Sequence, residues 1–413
     1  MLSDPNVRKV VLARFISRSG GFAAFFVGVW GKAAFEFDAT PGELAIVMFA
    51  LGISNLLGAS VAGVLTDRFD PRRVMLWGEI AFVPAALSVI LAGDMTQLAI
   101  TAALLGLTGA PVFTAAASFA PYLTDDEGEL KRLNVVMETA GMAAIVAGPA
   151  FGAIIETVWG LDWVFVFDAV TSLAAVALVA GVEVRQLATG DRTGAFSEAI
   201  AGFSFAYRHR PLRYVVLMAS VVWLSFGTFG ALEPLFFRDV VGAEGADVLG
   251  WVNMVFGVGL VAGAASLGRL PEGLVSGRGL ALLTALNGLG ALLYVGTGNL
   301  AVVLVGAVVW GSLIGLLVPV VRTLLHINSP EEMVGRITGV GELHHQAGEL
   351  LPLAVVAPLA AWLGVQSVLI VSALVVLALA LAAFGEGAAV DRIRISSTEV
   401  PEPAEDVTKP FVP

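Results

Sequence analysis

Cysteine is absent from all 413 residues, so no disulfide and no thiolate metal site is available, and the compartment stays open on that ground. Charge is scarce. Asp, Glu, Lys and Arg make up 14% of the chain, against about a quarter in a soluble domain. That leaves too little polar surface to coat a water-soluble fold. With 23 basic and 34 acidic residues, a net charge of −11, there is no basic patch to hold nucleic acid. No glycine-rich phosphate loop is present, which excludes direct drive by ATP on this chain. Apolar residues fill the space instead: 57% of the chain, with a mean hydropathy of +0.87.

A hydrocarbon core about 30 Å thick needs about 20 apolar residues per helix. The chain therefore has room for about twelve spans with short connections and for no separate catalytic domain. The expected fold is an all-α polytopic membrane protein. Apolar runs fall at 10–34, 43–65, 74–93, 97–122, 135–158, 161–182, 213–237, 247–268, 279–297, 300–324, 337–362 and 365–385. The first run is long and lacks a small-residue cleavage site, so it is expected to remain as span 1. Among the 47 glycines, the pairs Gly148/Gly152, Gly259/Gly263 and Gly311/Gly315 have the spacing that brings helix backbones together, and they are read as packing only.

Basic residues divide unevenly between the two sides. Arg8, Lys9, Arg68, Arg72, Arg73, Lys131, Arg132, Arg269, Arg278 and Arg336 fall on the side of the termini, whereas the opposite loops hold only Lys32 and Arg238. The excess places both termini in the cytoplasm. The longest internal connection separates a first half, 1–182, from a second, 213–390. Between them lies a linker at 183–212, and an acidic, proline-bearing tail at 391–413 reads as disordered. Within the linker, Phe196, Ile200, Phe203 and Tyr207 share one helical face. That suits a helix at the inner membrane surface or an ordinary linker helix. The halves echo each other. Gly58 to Gly63 after span 2 recurs as Gly263 to Gly268 after span 8, followed in each by an acid, Asp67 and Glu272. Asn134 to Pro149 likewise parallels Ile337 to Pro352. Two such halves are what alternating access requires.

Between spans 2 and 3 the chain reads Gly63-Val-Leu-Thr-Asp67-Arg68-Phe-Asp-Pro-Arg72-Arg73. This resembles the loop 2–3 motif of the major facilitator superfamily. The resemblance implies a gating role for Gly63, Asp67, Arg68, Arg72 and Arg73, with Asp67 capping the start of span 11 near Ile337 and Arg336. A carboxylate there meets the positive end of a helix dipole. For Arg72 and Arg73, enforcement of topology is an equally simple reading. Gly148, Pro149 and Gly152 in span 5 are similar to the glycine-proline motif of the family's exporters, which shapes the interface between halves. Asp168-Ala-Val-Thr-Ser in span 6, His209 to Arg213 before span 7, and Arg322 to Arg336 around loop 10–11 extend the likeness to the whole chain. The branch it resembles is that of bacterial drug and siderophore exporters, including macrolide and enterobactin efflux proteins. Departures are specific. Span 1 reads Ser17-Arg18-Ser19-Gly20-Gly21, without the acid that often follows, and span 4 lacks a buried arginine.

Ionisable side chains inside spans cost at least about 2.5–3.5 kcal/mol for the charged types, so each asks for a partner, a wet cavity or a proton. Glu342, His345 and Glu349 recur on one face of span 11, with Glu349 about 18 Å from Ile337 along the axis. A histidine between carboxylates can exchange protons near neutral pH. A structural polar cluster and a metal site are the alternatives, although one helix supplies too few ligands. Asp168 is read as either functional or satisfied by packing. Glu79, Glu138, Arg14 and Arg18 are expected to neutralise one another as an inner network, with Arg18 also placed to compensate charge near a cavity and both Arg18 and Glu79 counted as candidates for the substrate and proton pathway. Glu233, at the outer end of span 7, is expected to be wet.

The leading expectation is a secondary active exporter of an amphiphilic small molecule, coupled to protons. It would work as a monomer in the bacterial inner membrane, with no cofactor, no metal and no nucleic-acid partner. A facilitator-type nutrient importer is the first rival. A membrane-embedded transferase using His344, His345 and Glu349 is the second.

Overall fold

The computed structural model describes residues 4–185, 195–269 and 271–393, apart from the side chains of residues 67, 195–199 and 272. Residues 186–194 of the expected linker at 183–212 and residues 394–413 of the expected tail at 391–413 lie outside them. The helices are α1 (Pro5–Ala23), α2 (Pro41–Arg68), α3 (Pro71–Ser88), α4 (Met95–Ala117), α5 (Glu127–Trp159), α6 (Leu161–Ala180), α7 (Ala195–Arg208), α8 (Arg210–Leu235), α9 (Asp247–Ser266), α10 (Gly277–Val295), α11 (Leu300–Ile327), α12 (Val334–Leu350), α13 (Leu353–Leu363) and α14 (Val365–Val390). Among the described residues, 12 segments are long and apolar enough to cross a membrane. No strand is assigned among them.

Local chemistry starts these helices. Asp4, Thr40, Asp70, Asp94, Asp126, Ser276 and Asn299 each accept a backbone N–H in the first turn, relieving donors that have no partner inside the helix. Proline follows the cap in α1, α2 and α3, where its missing N–H costs nothing. Span 11 departs from the single run expected at 337–362. Pro352 has no amide to give to the preceding turn, and the helix breaks between α12 and α13.

The two halves repeat their packing: α2 on α4 matches α9 on α11, α3 on α6 matches α10 on α14, and α1 on α5 matches α8 on α12. Even the joints correspond. Gly160 (φ 92°) turns α5 into α6, and Gly364 (φ 84°) turns α13 into α14, a backbone region open to glycine but not to most residues. Spans 1 and 7 both end in π-helical turns, Ala24–Val29 and Lys32–Glu36 in one and Phe236–Val241 in the other.

Glycine contacts carry the tightest crossings. A methyl group at Gly263 would lie 2.0 Å from the Ser312 carbonyl oxygen, one at Gly311 2.2 Å from that of Phe256, and one at Gly315 2.1 Å from that of Leu260. Backbone cannot yield as a side-chain tip can. Gly263→Ala is therefore expected to lower the apparent melting temperature by several degrees, the overpacking cost being about 1–3 kcal/mol. Gly268→Ala, with nothing within 4 Å, is expected to be silent. Equal melting of the two variants by size-exclusion thermal shift would refute the packing role.

Candidate functional site

Four polar groupings among the described residues bear on function. The first lies on α12. His345 stacks on Trp223 of α8, ring centroids 3.7 Å apart, and lies between two carboxylates of its own helix. Its Nε2 is 3.2 Å from Glu349 Oε1 and its Nδ1 3.6 Å from Glu342 Oε1. The Gln346 amide donates to Glu342 at 3.2 Å. The helical spacing read from sequence does bring these three groups together. Glu349 is not shielded, however: its side chain is 34% exposed and that of Glu342 63%. Among the described residues no three His, Asp or Glu side chains are placed to hold a metal ion.

His344 points elsewhere. Its Nδ1 lies 2.8 Å from the Val340 carbonyl, so that nitrogen donates and Nε2 accepts from the Tyr207 hydroxyl at 2.7 Å. Phe203 stacks on Tyr207, at 4.7 Å between ring centroids, and on His344, at 5.7 Å. The linker helix α7 is thereby docked onto α12. His344 and His345 do not form one catalytic pair.

The second grouping is inside the first half. Arg14 Nη2 pairs with Glu138 at 2.8 Å, as expected. Arg18 does not join that pair. Its guanidinium rests over Phe22 and Phe113, 5.2 and 5.0 Å from the ring centres. Glu79 pairs with neither arginine; it is buried, facing the hydroxyls of Ser17 and Ser172. Asp168 is fully buried, and neither carboxylate oxygen meets a donor among the described residues.

The third grouping closes the end remote from the termini. Lys32 and Arg238, expected in outer loops, are built into helix ends. Lys32 is buried and bonds Glu36 at 2.6 Å and Asp162 at 3.0 Å. Arg238 reaches from the second half to the first: Nη1 donates to the carbonyls of Ala34 (3.0 Å) and Ala39 (3.2 Å) and pairs with Asp38 at 2.8 Å. Glu233, expected to be wet, is half-buried. It accepts a hydrogen bond from Tyr294, which packs against Phe229, Phe236 and Trp310. An acid beside Pro234 in an apolar run was the only sequence signal for it.

The fourth grouping is the loop 2–3 motif. The Asp67 side chain lies outside the described residues. Asp70 caps α3 through the Arg73 amide at 2.9 Å and pairs with the Arg73 guanidinium at 3.2 Å. Arg72 donates to the Ala180 carbonyl at the end of α6, where a cation meets the negative end of the helix dipole. Arg68 is exposed, and the space beside Gly63 is open. Arg336 packs its backbone against Gly202 of α7. Nearby, the Arg185 guanidinium pairs with Asp125 at 2.7 Å and holds that carboxyl below the usual range.

The span 5 motif lies at a three-helix contact. A methyl at Gly148 would meet the Ser19 carbonyl oxygen at 2.7 Å, and one at Gly152 would meet Val27 at 2.8 Å. Gly250 of α9, in the other half, approaches the Pro149 carbonyl so closely that a methyl there would lie 2.4 Å away. The motif thus joins the halves.

The Major Facilitator Superfamily profile matches residues 10–352. The chain is 27% identical over 362 residues to the multidrug efflux pump Tap of Mycolicibacterium fortuitum, covering 83% of this chain and 86% of that one. To the enterobactin exporter EntS of Escherichia coli O127:H6 it is 24% identical over 372 residues, covering 87% and 86%. Its fold is similar to that of a bacterial homologue of the human lysosomal transporter Spinster, solved in an inward-facing, unoccupied conformation. The TM-score is 0.72 at 13% identity, covering 93% of this chain and 96% of that one. With twelve segments among the described residues long and apolar enough to cross a membrane, in two repeated halves, and a match across both, this chain belongs to the major facilitator superfamily and is a multi-pass membrane transporter.

Proposed function

We propose that the chain exports an amphiphilic small molecule from the bacterial cytoplasm in exchange for protons, with both termini cytoplasmic. The observation that carries the coupling is His345 held between Glu342 and Glu349. One imidazole with a carboxylate on each side offers an exchangeable proton on the helix that packs against α8. Full-length likeness to proteins named as efflux pump and exporter supports the direction. The joining of α1, α5 and α9 at Gly148, Pro149 and Gly250 supports rocking of one half on the other.

Inside-out vesicles from an overexpressing strain test this reading. A fluorescent amphiphilic dye is expected to accumulate when the lumen is acidic and to leak away when the gradient is collapsed. Accumulation only in right-side-out vesicles would make the protein an importer and sink the proposal. In the same assay Asp67→Asn is expected to lower transport at matched protein level, because it weakens the inner latch at span 11. Unchanged transport would remove Asp67 from that role.

A further inference from the structure

We propose that the first half contains a binding chamber for an aromatic carboxylate that carries a hydrogen-bond donor at its far end, the carboxylate being held by Arg18. This rests on the transport reading above and names a class of substrate for it.

Two adjoining cavities share Gly21, Phe82, Gly109 and Phe113 in their walls. The smaller, about 40 Å³, is lined by Arg14, Ser17, Arg18 and Glu79. The larger, about 210 Å³, is lined by Phe22, Phe25, Phe26, Phe82 and Phe113 and reaches Asp168 and Asn55. A dry cavity of about 150 Å³ takes up benzene, so the larger space admits a substituted ring. The smaller admits a carboxylate and little more.

Polarity matches that division. Phe22 and Phe113 cover the Arg18 guanidinium, which leaves its in-plane N–H edge as the bonding surface. Among the described residues no acceptor is hydrogen-bonded to it, and its Nε is buried without a partner. Arg14 already has Glu138, yet its own Nε is also without an acceptor. The small cavity is thus rich in unused donors, which a carboxylate satisfies in bidentate fashion. A cationic head would meet the single Glu79 carboxylate there, but beside two guanidinium groups. In the wall of the larger cavity the Asp168 carboxylate has two oxygens that lack donors among the described residues, which a phenolic hydroxyl or an amino group of the ligand supplies. Gly21 is the passage between the cavities, since a methyl group there meets nothing within 4 Å.

The test is calorimetric titration of the full chain in lipid nanodiscs with 3-hydroxybenzoate. Benzamidine and phenol serve as cationic and neutral rings, and acetate as a small anion. 3-Hydroxybenzoate is expected to bind at least about tenfold more tightly than any of the three, the difference a charge-assisted bond supplies. Arg18→Gln is expected to weaken it by a similar factor and Arg18→Lys by less. Gly21→Leu, which projects into open space, is expected to abolish binding without lowering the melting temperature. Benzamidine binding as tightly as 3-hydroxybenzoate would overturn the assignment. So would unchanged affinity in both Arg18→Gln and Gly21→Leu. Binding is read without any gradient, so an importer with this chamber passes and a proton-driven exporter of cations fails. Failure here is therefore distinct from failure of the export reading.

Discussion

Glu349→Gln is expected to yield a folded protein that loses pH-driven accumulation by at least about tenfold while retaining energy-independent exchange of substrate. The backbone at this position is fixed by packing: a methyl at Gly227 of α8 would lie 2.3 Å from the Glu349 carbonyl oxygen. The side chain itself is one-third exposed and bonded to His345. Glutamine keeps the shape and one hydrogen bond to the imidazole but cannot ionise, so it holds the site in a permanently neutral form. Exchange of substrate for substrate needs no net proton movement and survives. Accumulation against a gradient needs the site to load on one side and unload on the other, and stops. His345→Ala is expected to shift the pH optimum of transport and leave residual activity. It removes the ring on Trp223 but leaves both acids. Uphill transport by Glu349→Gln on an imposed proton gradient would place coupling elsewhere, with Asp168, buried and without a donor, next in line.

The sequence made some parts of this site legible and hid others, for physical reasons. Helical periodicity put Glu342, His345 and Glu349 on one face, because three or four residues make a turn whatever surrounds them. It did not reveal Trp223, more than a hundred positions before His345 in the chain. The glycine pairs were legible as packing because close approach of backbones tolerates nothing larger. Lys32 and Arg238 were misread as loop residues because both lie in π-helical turns that prolong spans 1 and 7. Such turns have no signature in a hydropathy profile. Arg14 and Glu138 were paired correctly from depth alone. Depth could not show that Arg18, one turn further, would be capped by two phenylalanine rings and left without an acid.

Arg238→Gln is expected to open the end of the bundle remote from the termini. Arg238 belongs to the second half, whereas Ala34, Asp38 and Ala39 belong to the first, so these contacts must separate when that end opens. Two hydrogen bonds from a charged donor to backbone carbonyls dominate the clasp. The pair with Asp38 adds little, since that carboxylate is 91% exposed and exposed ion pairs contribute about 0–1 kcal/mol. Loss of the carbonyl bonds is worth on the order of 2 kcal/mol, roughly thirtyfold in the closed-to-open equilibrium. Asp38 sits at φ 50°, in the left-handed region that Asp enters more readily than most residues with a Cβ. Because the chain has no cysteine, spin labels can be placed without background at Thr96→Cys in the first half and Leu300→Cys in the second, both exposed. Pulsed electron resonance is expected to show a long-distance population that grows in Arg238→Gln and only partly in Arg238→Lys, which keeps a donor. An unchanged distance distribution in Arg238→Gln would mean that the far end is held by apolar packing of α2 on α13 and of α5 on α9, with the arginine a bystander.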